Sequence, residues 1–209
     1  MKLTALSVGD FIQAVASNAP APGGGSVSAF AAANGAALLC MVAKLTIGKK
    51  KYAEFDGVQR EILEKASVLM DKFVGLIDTD TEAFNKVSAV FSMPKDTEEE
   101  KKARQDAMQE ALKHAAKVPL EVMENCLSAL KLTFNAVGKS NTSAASDLGV
   151  AALGLGAGVK GAWLNVKINL TSIKDEEFVE KLTAQGESIL ESAENLAVKI
   201  YETILSELG

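Results

Sequence analysis

The sequence predicts an all-α fold, a bundle of about six helices around a buried central helix rich in Ala and Gly. Three observations carry this. No alternating apolar run is bracketed by hairpin dipeptides, so strand signals are nearly absent. Apolar residues recur at steps of three and four along almost the whole chain. The apolar share, 48%, rests largely on Ala, Val and Leu with only 5% aromatics, which suits closely packed helices. A chain of 209 residues can bury a sizeable core without disulfides or a structural metal. No repeat or linker divides it, so residues 1–209 read as one helical domain.

Ser7, with Asp10 three residues on, opens a short helix carrying Phe11, Ile12 and Val15. Two prolines and three glycines between Ser17 and Gly25 forbid regular structure. Ser26 then reads as the cap of a second helix to about Gly48. That helix is apolar on every side and so belongs at the centre of the fold. After a loop from Gly48 to Gly57, a third helix runs from about Val58 to Phe91. Its seam is Ile62, Ala66, Leu69, Phe73, Leu76, Asp80, Phe84, Val87 and Phe91. Thr97 and Glu100 form a capping box for a fourth helix reaching towards Gly138, with a bend expected at Pro119. A polar loop, Lys139 to Ser146, leads to a fifth helix from about Asp147 to Asn169, again low in charge. The last, about Asp175 to Leu208, is amphipathic through Phe178, Leu182, Ile189, Ala193, Leu196, Ile200 and Ile204.

Charge excludes whole classes of function. The 22 Lys and Arg against 27 Asp and Glu give a net charge of −5, unlike the basic footprint of a nucleic-acid binder. Met1-Lys2-Leu3-Thr4 lacks the apolar run of a signal peptide. Ser26 to Ile47, the best membrane candidate, is interrupted by Ser28, Asn34 and Lys44 and reads as a buried helix. A cytoplasmic location without membrane attachment is expected. Cys40 and Cys126 read as small buried hydrophobes. One histidine, His114, argues against a His-based metal site or a Ser-His-Asp relay, and no Walker pattern is present.

Four features stand out against that background. Asp80 interrupts the apolar seam of the third helix, where an unpaired buried carboxylate is costly. It is either paired with a donor or facing a cavity, and the second placement suits a proton acceptor or a partner for a cation. Asn165 and Asn169 are four apart, hence on one helix face, and their amides suit either a neighbouring helix or a planar heterocycle. Gly24, Gly25 and Ser26 form a Gly-rich turn feeding a helix start, which is either a tight turn or an anion seat. Lys49, Lys50 and Lys51 are either a solvated loop or a receiver for a polyanionic tail, and Ser146-Asp147 is either a cap or part of a site.

Taken together, these motifs resemble the cyclodeaminase/cyclohydrolase family of folate enzymes. The resemblance is carried by Pro20-Ala-Pro-Gly-Gly-Gly-Ser-Val27, Met41-Val42, Leu45-Thr46, Gly48-Lys-Lys-Lys-Tyr52 and Asp80-Thr-Glu-Ala-Phe84. It continues in order through Val118-Pro119-Leu120, Ser146-Asp147-Leu-Gly-Val-Ala-Ala152 and Asn165-Val-Lys-Ile-Asn-Leu170. One departure is Gly138-Lys-Ser-Asn141, where the family often has Gly-Asn. The resemblance implies a helical homodimer acting on a tetrahydrofolate derivative as substrate, with no permanently bound cofactor, no metal, and a formiminotransferase as a partner. The expected reaction closes 5-formiminotetrahydrofolate to 5,10-methenyltetrahydrofolate with loss of ammonia. The alternatives are hydrolysis of the methenyl compound to 10-formyltetrahydrofolate, or a non-catalytic helical module. Asp80 is the expected catalytic group. Gly24, Gly25, Ser26, Lys49, Lys50, Lys51, Asn141, Asp147, Asn165 and Asn169 are the expected substrate-binding residues.

Overall fold

The computed structural model describes residues 2–209. Six α-helices follow one another: α1 Val8–Val15, α2 Gly24–Thr46, α3 Asp56–Val90, α4 Glu98–Ala136, α5 Ala145–Leu170 and α6 Glu176–Leu208. Among the described residues there is no strand. One hydrophobic core takes side chains from all six helices, from Phe11 of α1 to Ile204 of α6 in chain order.

The helix starts follow their side chains. Ser7 accepts from the Asp10 amide at 3.1 Å, and Asp175 accepts from Phe178 at 3.0 Å. Thr97 and Glu100 exchange the two bonds of a capping box. Gly48 and Gly138, just past the ends of α2 and α4, take φ of 76° and 71°, the left-handed region where a helix can stop without Cβ strain. The Lys50–Phe55 stretch, expected as loop, is a run of 3-10 turns. α4 passes through the buried Pro119 without ending.

The central helix is α2, as its all-round apolar sequence predicts. It lies between α3 and α5 and is antiparallel to α5, with Gly35 against Ala151 and Leu155 and Ser28 against Gly158. A Cβ on Gly35 would stand 2.8 Å from the Ala151 carbonyl, so the two backbones are nearly in touch. α2 is also long and apolar enough to cross a membrane, with a mean hydropathy of 1.7, but 61% of that window is buried by its neighbours.

The α3 seam departs from expectation. Ile62, Ala66, Phe73 and Leu76 are core, but beyond Leu76 the stripe surfaces: Asp80 is half-buried, Phe84 39% exposed and Phe91 65% exposed. The stripe leaves the core at Asp80 and becomes the wall of a pocket.

Candidate active site

Ser26 does not cap α2. The helix begins two residues earlier, with Gly23 at the cap position and no side-chain bond there. Ser26 is fully buried in the first turn, and its Oγ lies 2.8 Å from the Ile77 carbonyl and 3.0 Å from Asp80 Oδ2. The Ser26 backbone amide also faces that carboxylate. Asp80 therefore sits on the start of α2, where free amides and the helix dipole favour a negative group. Burial pushes its carboxyl above the usual carboxylate range, and the two Ser26 bonds pull part of the way back.

The contact depends on glycine. A Cβ on Gly25 would fall inside the Asp80 carboxylate, and one on Gly24 would stand 3.1 Å from Asn165 Nδ2. The two glycines leave room for two polar side chains to close on the helix start from opposite sides, Asp80 from α3 and Asn165 from α5. The Ala21–Pro22 peptide just before them is cis.

Between these elements lies a pocket of about 320 Å³. Pro20 to Gly25 close one side, Asp80, Phe84 and Val87 form the α3 wall, and Asn165, Ile168 and Asn169 form the α5 wall. Asp80 is the single ionisable group in the lining. Asn165 donates one N–H to Gly161 at 2.8 Å, and Asn169 donates one to Ala115 of α4 at 2.9 Å. Each amide is anchored by half of its donors, and neither amide oxygen has a partner among the described residues. The pocket thus offers a planar ligand a carboxylate, two amide oxygens, two spare N–H groups and the Phe84 side chain.

Both alternatives for Asp80 hold at once: it has a donor and it faces a cavity. The asparagines likewise serve a neighbouring backbone and the pocket together. The pocket brings together Gly24, Gly25, Asp80, Asn165 and Asn169, with Ser26 behind them.

The remaining expected residues lie elsewhere. Lys49, Lys50 and Lys51 are exposed just past the other end of α2, which at ~1.5 Å per residue is about 35 Å from Gly24. Lys51 lies over the ring of Tyr52, whose hydroxyl is 3.0 Å from both the Thr142 hydroxyl and its amide. Asn141 builds that same end: it bonds Leu45 and Thr46 of α2 and accepts from the Ser143 amide. Asp147 is in the first turn of α5 near this end and caps nothing, since α5 begins at Ala145. Within one chain these five residues form a second group, remote from the pocket.

Sequence reasoning missed Ile168, Phe84 and the Pro20–Ala21 wall as pocket residues. The signal was the seam itself, which carries a polar residue at 80 and aromatics beyond it.

Residues 7–188 match the family model described as Formiminotransferase-cyclodeaminase. The chain is 42% identical over 199 residues to a methenyltetrahydrofolate cyclohydrolase of Methylorubrum extorquens, covering 95% of this chain and 96% of that one. It is 39% identical over 189 residues to the formimidoyltransferase-cyclodeaminase of Gallus gallus, covering 89% of this chain but 34% of that protein. The chain thus spans about a third of the length of that relative. The crystal structure of a formiminotetrahydrofolate cyclodeaminase from Thermotoga maritima superposes with a TM-score of 0.89 over the whole of both chains, at 29% identity.

Proposed function

The chain belongs to the formiminotransferase-cyclodeaminase family, and from that premise we propose that its pocket closes 5-formiminotetrahydrofolate to 5,10-methenyltetrahydrofolate with release of ammonia. The observation that carries this reading is Asp80, a lone half-buried carboxylate held by Ser26 in a pocket lined otherwise by neutral groups.

The chemistry asks for three things. N10 must be held near the formimino carbon, its proton must be accepted as the N10–C bond forms, and the departing nitrogen must be protonated as the C–N bond to it breaks. Ring closure within one bound molecule gains most from positioning, which the two anchored amides and the Phe84 side chain provide for a pterin and its neighbouring ring. A carboxyl raised by burial above its usual range can take the N10 proton and pass it to the leaving amine. As a carboxylate it faces the methenyl cation with little water between them, where such an interaction is strongest.

A second reading has its own support. The relative that matches over nearly its full length is a cyclohydrolase. In that reaction water adds to the methenyl carbon and gives one proton to Asp80, which returns it to N5 as the carbon–N5 bond opens, while the second water proton is released to solvent. One experiment tests both. A methenyl absorbance band that grows with 5-formiminotetrahydrofolate marks the cyclodeaminase, and one that decays with 5,10-methenyltetrahydrofolate above the uncatalysed rate marks the cyclohydrolase. No change with either compound removes the folate reading.

The reading includes a cytoplasmic homodimer, alone or with a formiminotransferase as partner. It is supported by the outward faces of α2 and α5, which expose Met41, Leu45, Val150, Leu153 and Leu164, the last by 70%. Apolar faces of that extent usually meet a partner. Sedimentation of Leu153→Asp and Leu164→Asp variants as monomers, with wild type as dimer, is the expected result.

A further inference from the structure

A second recess, of about 340 Å³, opens where α3 ends, α4 begins and α5 turns into α6. Lys95, Lys101, Arg104 and Lys174 line it with Gln105, Met108 and Gln109, and its lining holds no acid. In a chain with net charge −5 this is an unusual concentration of cations. The recess is also built rather than incidental. Arg104 donates to the Val90 and Phe91 carbonyls at 3.1 and 3.2 Å, so its guanidinium is fixed on the end of α3. Gln109 donates to the Ser172 carbonyl and accepts from the Lys174 amide, which fixes the α5–α6 turn on α4. One of the four cations, Lys101, is already paired, with Glu98 at 2.6 Å.

All three elements around this recess also line the pocket that holds Asp80. On α3, Val87 lines the pocket and Phe91 holds Arg104. On α4, Ala115 lines the pocket and Gln109 the recess. At the end of α5, Asn169 and Lys174 do the same. Asp80 to Phe91 is about 16 Å along the helix at ~1.5 Å per residue. In a folate, N10 is separated from the glutamate carboxylates by about 9–12 Å of ring and amide at ordinary bond lengths. The remainder is within the reach of a lysine side chain.

We propose that the Lys95–Lys101–Arg104–Lys174 recess seats the carboxylates of the folate's glutamate tail while the one-carbon bridge lies at Asp80. This rests on the folate reading above. It moves the anion-binding role expected of Lys49, Lys50 and Lys51 to a cluster beside the pocket. Phe84 and Val87 then flank the aminobenzoyl ring between the two ends.

Calorimetric binding of tetrahydrofolate and of tetrahydropteroate, which lacks the glutamate, tests the assignment. Lys95→Glu/Lys174→Glu is expected to weaken tetrahydrofolate binding by about tenfold at low salt, as loss of two solvent-facing ion pairs implies, and to leave tetrahydropteroate affinity unchanged. Lys95→Gln/Lys174→Gln, which keeps the side-chain stems, is expected to show a smaller loss of the same kind. Equal losses for both compounds, no loss for either, or a tetrahydrofolate-specific loss seen instead in a Lys49→Ala/Lys50→Ala/Lys51→Ala variant would each overturn the proposal. Wild type that binds tetrahydropteroate as tightly as tetrahydrofolate overturns it while sparing the folate reading. Wild type that binds neither overturns both.

Discussion

Ser26 Oγ stands 3.0 Å from Asp80 Oδ2, 2.8 Å from the Ile77 carbonyl and 3.2 Å from Thr81 Oγ1, so its one hydroxyl proton can turn between Asp80 and Ile77. When Asp80 is ionised, the proton points at the carboxylate. When Asp80 is protonated, the acid donates to Ser26 and the serine turns its own proton to Ile77. Both protonation states are satisfied without any backbone movement, which is what a group that takes and returns a proton requires.

Ser26→Ala removes a donor that favours the charged form. Asp80, already raised by burial, should rise further, so the acidic limb of the pH–rate profile should move to higher pH. Turnover measured from mildly acidic to alkaline pH checks this, and an unshifted limb would separate Ser26 from the titration of Asp80.

Asp80→Asn keeps the shape and discards the charge. Turnover should fall by about 10²–10³, the usual loss on removing one electrostatic stabiliser of a transition state. The stability sign runs the other way. A carboxyl raised in the folded state contributes stability below its unfolded pKa and loses it as pH rises through the folded value. The Asn variant should therefore melt no lower than wild type at neutral pH, and an early-melting variant with full turnover per folded molecule would be the contrary outcome.

Gly25→Ala and Gly24→Ala make a graded pair. The first puts a methyl group where the Asp80 carboxylate is, so it should cost about 1–3 kcal/mol and most of the activity. The second meets only Asn165 Nδ2 at 3.1 Å, the end of a side chain that can give way. It should melt near wild type and show mainly a raised KM. Equal effects would mean that the Asp80 contact does not set the demand for glycine.

Tyr52 gives a pH marker far from the pocket. Its bonds to the Thr142 hydroxyl and amide lower its pKa to about 8. A depressed acid adds stability above its unfolded pKa of about 10 and loses it as pH falls through about 8. Phenolate absorbance should show a step near pH 8 that Tyr52→Phe removes. A wild-type titration without that step would contradict the Tyr52–Thr142 geometry.

Helix number, order and most starts were legible because capping is local: Ser7, Thr97 and Asp175 each announce their helix within three residues. The start of α2 was not. Ser26 has the chemistry of a cap, but its hydroxyl is spent on α3, fifty-four positions away at Asp80, and periodicity carries no information about such a contact. Asp80 and the two asparagines were legible as polar residues at apolar positions. The lysines after α2 were legible only as charge. Their distance from the pocket is set by the length of α2, but that the pocket lies at the opposite end, where α3 and α5 close on Gly24, is a long-range fact. The same holds for Arg104 and Lys174, which look like ordinary surface until the ends of three helices bring them together.

Because α2 and α5 meet almost backbone to backbone, trimming side chains there opens little space. The glycine wall of the pocket has nothing left to cut away, and enlarging any residue at Gly35 or Gly158 pushes the two helices apart. Adjustable width lies mainly on α3, where Phe84 and Val87 present removable bulk alongside Ile168 of α5. A change of substrate size in this scaffold, whether by drift or by design, should therefore be written at those two positions first, and bulkier ligands should select smaller residues there while the glycines stay fixed.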